Sequence, residues 1–364
     1  MNIGINASFL NERPTGVGVY TREIATRLCA LHAETFIFTS VLFHTVRKAC
    51  IKRTPVALRG SVKLSSNLLR MVYENTLLPF AIKRQGIDVL FCPILEFPFV
   101  PSTRLVVTVH DLHPLYFPKQ FGLAARHFRI ALKLLPMYAS RVIVSSHFVK
   151  REIIKMLPFD SERIDVLPLG CNPAVFHPRA IGTRQDFLKT YGLVEPFILA
   201  VGSLFPYKNI KTLLNAFLEI RGKIPHCLII IGSKELSSEH LIEDERIRYL
   251  GYVEKEDIAK FYSYADLFVH PSFTEGFGMT VLEAMACGVP VISSHGGSLP
   301  EVVGDAGMLF DPYDSTSLGQ LILTVLTNKR LRSELVEKGI EQVKKFSWDK
   351  TAEGVLESCK KAAR

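Results

Sequence analysis

Short apolar runs of strand type alternate with helical patterns along the whole chain, and this alternation limits the folds open to it. The strand-like runs are Asn2–Ala7, Thr35–Phe43, Val89–Cys92, Leu105–His110, Arg141–Ser145, Ile164–Leu167, Phe197–Val201, Cys227–Ile231, Leu267–His270, Val289–Ser293 and Gly307–Phe310. They are rich in Val, Ile, Leu and Phe and lack the strict two-residue alternation of a half-exposed strand, as expected of strands covered on both faces. Helical patterns such as Gly18–Leu31, Ile210–Ile220 and Asp257–Tyr264 lie between them. Strand–helix–strand repeats of this kind build parallel sheets, so the expected class is α/β. A length of 364 residues suffices for two domains. The irregular, Pro- and Gly-rich stretch Leu169–Thr183 (LGCNPAVFHPRAIGT) separates two βα series and marks the expected boundary.

Composition narrows the class further. A hydrophobic share of 48% and a charged share of 22% suit a globular protein. No apolar stretch approaches ~20 residues without Pro or charge, so no membrane-spanning helix is expected. Asn2–Leu10 reads as a first strand rather than a secretory leader. The seven cysteines (Cys29, Cys50, Cys92, Cys171, Cys227, Cys287, Cys359) are scattered and never spaced C-x-x-C. They read as reduced core thiols of a cytoplasmic protein, not a disulfide or zinc framework. The net charge of +9 is uneven: residues 1–175 hold 22 basic against 11 acidic residues, and residues 176–364 hold 22 against 24. No acidic residue lies between Glu34 and Glu74, where Arg47, Lys48, Lys52, Arg53, Arg59, Lys63 and Arg70 are interleaved with Leu68, Leu69, Met71, Val72 and Tyr73. Segment 44–73 can lie on an anionic membrane surface. A solvated helix face and a nucleic-acid patch are the other readings.

The chemistry concentrates in Thr274–Ile292, TEGFGMTVLEAMACGVPVI. Glu275 and Glu283 stand eight positions apart, with the loop Gly276, Phe277, Gly278 between them, ahead of a helix over Met279–Ala286. A loop that opens a helix offers free N–H groups and the positive end of the dipole to a phosphate. The two carboxylates need not be stacked neighbours, and they accept hydrogen bonds from hydroxyls. A ligand with hydroxyls at both ends and phosphate in the middle fits: a nucleotide-sugar.

Other positions are less specific alone. Gly16 and Gly18 (GVGVYT) sit between a strand and a helix, without the third glycine of a dinucleotide fingerprint, and read equally as a turn or a binding loop. His110 ends a strand, where α/β sites form. With Asp111 and His113 it can be read as a metal site, a structural histidine or a substrate contact. Lys208 lies in a loop after Phe197–Val201, where it can neutralise a phosphate or stand as a surface lysine. No Asp-x-Asp pair occurs, so no metal is expected to bridge a diphosphate.

The run EGFGMTVLEAMACGVPVISS resembles the glutamate–seven–glutamate signature of the retaining glycosyltransferases of family 4, the group 1 glycosyl transferases. Thr15–Tyr20 (TGVGVY), Val107–Pro118 (VTVHDLHPLYFP), Val201–Asn209 (VGSLFPYKN), Leu250–Val253 (LGYV) and Leu299–Gly307 (LPEVVGDAG) fall in that family's order, over almost the whole chain. The resemblance implies the GT-B fold, two Rossmann-like domains facing across a cleft. It implies residues 1–175 for the acceptor, 176–345 for the nucleotide-sugar, and a helix over 346–364 crossing back to the first domain. It places Gly16 and Gly18 near the donor diphosphate, and His110 at the donor sugar. Ser203 and Lys208 fall at the phosphates, and Tyr252 and Val253 beside the base. Glu275 lies near the transferred sugar, Gly276, Phe277, Gly278, Met279 and Thr280 hold sugar and phosphate, and Glu283 holds the ribose. Glu301 reads as structural. Many relatives carry Arg where Ser203 or Tyr207 stands, so here the diphosphate would lean on Lys208, backbone donors and the helix opening at Met279.

The expected activity is therefore retaining, metal-independent hexosyl transfer, with mannose from GDP-mannose the preferred donor. The acceptor would be a glycan or lipid-linked glycan of surface polysaccharide biosynthesis. No cofactor beyond the nucleotide-sugar co-substrate is expected. The anionic membrane surface is the preferred partner of segment 44–73, giving a cytoplasmic protein at the inner face of the membrane, and nucleic acid is not expected. UDP-hexose transfer, a sugar-nucleotide epimerase and a non-catalytic scaffold are the rivals.

Overall fold

The computed structural model spans the 364 residues and describes all except 13–15, 44–45, 56–57, 59–63, 100, 180–183, 194–195 and 233–241, together with the side chains of residues 49 and 64–68. The chain divides into two compact units, Met1–Gly170 with Ser347–Arg364, and Cys171–Phe346.

The first unit runs β1 (Ile3–Asn6), α1 (Val17–Leu31), β2 (Thr35–Thr39), β3 (Ile51–Arg53), α2 (Leu64–Asn75), α3 (Leu77–Arg84), β4 (Val89–Cys92) and β5 (Arg104–Val109). It continues through α4 (His113–Tyr116), α5 (Pro118–Phe121), α6 (Leu123–Tyr138), β6 (Ala139–Val144), α7 (His147–Met156) and β7 (Ile164–Val166). Its seven strands pair in parallel in the order β3-β2-β1-β4-β5-β6-β7. Leu90, Val107, Val109, Val142 and Val144 pack under helices into one core.

The second unit runs α8 (Arg184–Thr190), β8 (Phe197–Val201), α9 (Ile210–Ile220), β9 (Cys227–Ile231), β10 (Ile247–Gly251), α10 (Lys255–Tyr264) and β11 (Leu267–His270). Then come α11 (Met279–Ala286), β12 (Val291–Ser294), α12 (Leu299–Val303), β13 (Met308–Phe310), α13 (Ser315–Thr327) and α14 (Lys329–Val343). Its six parallel strands lie in the order β10-β9-β8-β11-β12-β13. β8, β9, β11 and α11 match the sequence expectation residue for residue.

Two strands carry no apolar run and were not expected: β3 (IKR) and β10 (IRYLG). Both are edge strands, each paired to one neighbour. An edge keeps one flank in solvent, so charged side chains replace the apolar signal there. The expected strand Thr35–Phe43 stops at Thr39, whose hydroxyl accepts from Val41 N and turns the chain. The expected strand Val289–Ser293 begins only at Val291, after Pro290, which has no N–H to give a ladder.

The last helix, α15 (Trp348–Ala363), belongs to the first unit. Its apolar face, Trp348, Ala352, Val355, Cys359 and Ala362, repeats every three or four residues and is buried. Each large apolar side chain so buried contributes about 1.5–3 kcal/mol. Ser347 caps it, and Ser358 Oγ donates to Asp165 Oδ2 at 2.7 Å. Gly170 is required where the chain passes it: a Cβ there would lie 2.2 Å from Trp348 N.

Among the described residues no helix is long and apolar enough to cross a membrane. All seven cysteines are free thiols. The basic segment 44–73 is less uniform than its sequence. Residues 44, 45, Arg59 and Lys63, and the side chain of Leu68, lie outside the described residues. Arg70 does not face solvent; it is buried and bidentate on Glu96, at 2.9 and 3.1 Å. Tyr73 is buried too, whereas Leu69 and Val72 are exposed, together with Leu77 and Phe80 of α3.

Candidate functional site

The second unit gathers its candidate residues beyond the carboxyl ends of β8 and β11. After β8 the chain turns through Gly202 and Ser203 into the single turn Pro206–Lys208. Gly232, at the end of β9, comes so close that a Cβ would lie 1.8 Å from Gly202 O, so these two loops pack backbone against backbone. Asn209 follows in a left-handed conformation, φ 53°. Asn tolerates this conformation. Its Nδ2 donates to Pro271 O at 3.0 Å and Pro312 O at 2.7 Å, while Oδ1 accepts from Thr212 Oγ1 at 2.8 Å. Asn209 thereby fixes where Lys208 points.

Lys208 Nζ donates to Glu275 Oε1 at 2.7 Å, with both side chains mostly out of solvent. The same Oε1 accepts from Ser272 Oγ at 2.6 Å and lies 3.1 Å from His270 Nε2. The His270 ring is buried, and burial lowers its pKa, so it acts as a neutral donor to the carboxylate rather than as a cation. Its Nδ1 then accepts from Thr280 Oγ1 at 3.2 Å, in the first turn of α11. One carboxylate oxygen thus ties β8's loop, β11's end and α11's start together. Behind it, Ser298 N and Oγ both donate to Glu275 O at 3.0 Å. Gly297, φ 66°, lies so close that a Cβ would sit 2.4 Å from that oxygen.

Gly278 takes φ 102° at the N-terminus of α11 and offers no capping side chain. A Cβ there would meet Leu299 at 2.7 Å. Phe277 is buried edge-on against Phe346, ring centres 5.7 Å apart. Gly276 is buried beside it, and Met279 and Thr280 are half-buried. Glu283 keeps different company from Glu275. Burial pushes its pKa up to about 7 while Lys255 draws it back, and the charge is felt by Cys171, Cys287 and Tyr262. Of the pair at the expected base, Tyr252 is exposed, with its hydroxyl on Glu254 at 3.2 Å, whereas Val253 is buried. Ser203 is half-buried.

The other candidates belong to the first unit. Gly16 takes φ 41° at the start of α1. Gly18 does not share that loop: it is buried inside the first turn of α1, because the helix already begins at Val17 and Tyr20 N donates to Gly16 O. Thr15 lies outside the described residues. His110 stands one residue beyond β5, with Nε2 2.8 Å from Pro93 O. Burial lowers its pKa. The Tyr20 ring meets it edge-on at 4.6 Å, so α1 supports it directly. Asp111 Oδ1 accepts from His113 N at 3.0 Å, and His113 Nδ1 lies 3.4 Å from the same oxygen. That is a local turn-closing contact. Among the described residues no three His, Cys, Asp or Glu side chains cluster as metal ligands would.

Reading from the residues alone missed His270, Ser272, Asn209 and Gly297. His270 carries a signal, since it ends a strand five residues before Glu275. Gly297 carries none, because only the fold brings it against Glu275.

The family models agree with this layout. Residues 14–175 match Glycosyltransferase Family 4 and residues 189–342 match Glycosyl transferases group 1. O-antigen chain mannosyltransferase B of Escherichia coli is 36% identical over 260 residues, 68% of this chain and 67% of that protein. Serotype-specific mannosyltransferase WbdA of Escherichia coli is 29% identical over 70% of this chain, a match that spans 33% of its own length. The structure of sucrose-phosphate synthase from Thermosynechococcus elongatus superposes with a TM-score of 0.79 at 22% identity, covering 98% of this chain and 97% of that one. The chain belongs to glycosyltransferase family 4, of the group 1 type, and has the two-domain α/β GT-B fold.

Proposed function

We propose that the protein transfers mannose from GDP-mannose, with retained anomeric configuration, to a glycan or lipid-linked glycan acceptor of surface polysaccharide. The observation that carries this reading is the contact of Lys208 with Glu275 in front of the α11 N-terminus. A cation and the positive end of the α11 dipole lie together there, which suits a departing nucleoside diphosphate. Both Escherichia coli relatives are mannosyltransferases, which supports mannose as the transferred sugar.

In this reading Lys208 and the amides of Gly276–Thr280 hold the diphosphate, Glu275 orients the sugar, and Glu283 accepts from the ribose hydroxyls. Ser203, Tyr252 and Val253 line the nucleotide, and the roles assigned to His110 and Gly16 are at the sugar and the phosphate. The bond from the anomeric carbon to the phosphate oxygen breaks. A bond to the acceptor oxygen forms on the same face, and the acceptor proton passes to the departing phosphate. No metal takes part, and no cofactor is needed beyond the co-substrate. The exposed Leu69, Val72, Leu77 and Phe80, with the exposed cations Arg47, Lys48 and Arg53, would rest on an anionic inner-membrane surface.

Lys208→Ala and Glu275→Ala test the site. Both should abolish transfer from GDP-mannose while the thermal transition persists. Full activity in either variant would remove the site assignment. A scaffold is the second reading, favoured by the absence of a cation at Ser203 and Tyr207. Donor binding by the wild type without turnover on any acceptor would select it.

A further inference from the structure

A cavity of about 250 Å³ opens in the first unit between α2, α6 and the loop that follows β4. Its walls are apolar at Leu95, Phe128 and Ala124, and polar at Arg70, Glu74, Glu96 and His127. It lies beyond the carboxyl ends of the sheet, the side on which parallel α/β sheets receive ligands. The link to the sheet is direct: Asn6, the last residue of β1, donates through Nδ2 to Glu74 Oε1 at 2.9 Å.

The charges in this cavity are already spoken for. Both oxygens of Glu96 accept from the Arg70 guanidinium. Glu74 is 2% exposed, and burial beside Glu96 raises its pKa to about 8, so it is a neutral acid at pH 7. An anion entering the cavity would meet a guanidinium already neutralised by Glu96 and a second carboxyl at its side. A cation would meet that same guanidinium. A purely apolar ligand would bury Glu74, Glu96 and Arg70 against carbon, at a cost. A pyranose meets both demands. One of its faces is C–H and can lie on the Phe128 ring, and its hydroxyls both donate to Glu96 and accept from protonated Glu74 or His127. The volume accommodates one ring.

We infer that the α2–α6 cavity is a subsite for one uncharged pyranose of the acceptor glycan, selecting neutral sugars over phosphorylated or acidic ones. This rests on the transferase reading for the word acceptor; the sugar-binding claim itself does not need the donor site.

The test is ligand-observed saturation-transfer NMR on the full chain, with the methyl glycosides of mannose, glucose, galactose and N-acetylglucosamine as probes and mannose 6-phosphate as competitor. At least one glycoside should show transfer, and mannose 6-phosphate should not displace it. Ala124→Trp, on the exposed rim, should fill the cavity and remove the signal while leaving the thermal midpoint unchanged. Phe128→Ala should weaken the signal as a second, cavity-enlarging variant. Absence of transfer for all four glycosides, persistence of the signal in Ala124→Trp, or displacement by mannose 6-phosphate would each overturn the inference. The two readings fail separately. A glycoside signal lost in Ala124→Trp, with no thermal response of the wild type to any nucleotide-sugar, keeps the cavity and removes the transferase reading. A nucleotide-sugar response without a cavity signal does the reverse.

Discussion

Glu275 in the second unit and Glu74 in the first are both buried carboxyls near the carboxyl edge of a parallel sheet, and they are held in opposite ways. Glu275 is ion-paired, with one oxygen serving Lys208, Ser272 and His270. Glu74 takes one amide hydrogen from Asn6, and its pKa climbs to about 8. Glu275 has a cation on its oxygen, whereas at Glu74 burial and the neighbouring Glu96 outweigh Asn6 and Arg70. The second unit therefore presents an ion pair at the amide end of α11. The first presents a neutral acid, suited to hydroxyls.

The largest effect expected falls on Lys208. Lys208→Ala removes the side-chain cation that donates to Glu275 Oε1 and should lower transfer by about 10²–10³-fold or more, the scale set by losing one preorganised charge donor. Transfer assays at saturating donor check this, and activity within a few-fold of wild type would erase the contrast between the two units. A smaller effect is expected from His270→Ala. His270 touches Glu275 and Thr280 but is placed as a positioning residue, so kcat should fall by up to about 10²-fold while the fold persists. His270→Asn, which keeps a donor, should recover part of the loss. Equal damage in both variants would mean that the ring only packs.

The third prediction concerns pH and the first unit. The folded pKa of Glu74 is raised, so the folded state holds its proton more tightly than the unfolded chain. Stability is then greatest below the ordinary glutamate range near 4.5 and falls as pH rises toward about 8. Glu74→Gln removes that dependence and should gain stability relative to wild type between pH 5 and pH 8, on the order of a few kcal/mol. Unfolding followed at both pH values checks it. A constant difference between the two proteins would show that Glu74 is charged when folded. The smallest expected effect is at the exposed apolar face. Leu77→Ser with Phe80→Ser should change stability by less than about 1 kcal/mol, as surface substitutions do. The pair should nevertheless reduce sedimentation with vesicles containing phosphatidylglycerol. Unchanged sedimentation would remove the membrane reading of this face.

The same contrast explains what could be read before the fold was known. The second-unit site is local: Glu275, the glycine loop and α11 lie within a dozen residues, so loop, helix start and carboxylate are visible together. The buried strands were legible for a similar reason, because Val- and Ile-rich runs such as Cys227–Ile231 need both faces covered. The first-unit cavity draws on Asn6, Glu74, Glu96 and Phe128, which are far apart in the chain and carry no shared spacing. Arg70 illustrates the limit. In the sequence it extends a basic run, and only the fold turns it inward onto Glu96. Gly18 shows the same at short range, since a two-glycine loop and a helix beginning at Val17 have the same letters.

The most direct measurement is a thermal-shift titration of wild type and Lys208→Ala with GDP-mannose, UDP-glucose, GDP and UDP. A ligand that binds only the folded protein raises the midpoint by mass action. GDP-mannose and GDP should raise the wild-type midpoint, the uridine nucleotides should raise it little, and Lys208→Ala should lose the rise. An equal rise in Lys208→Ala would contradict the role of the Lys208–Glu275 pair. No rise with any nucleotide would contradict the donor site itself.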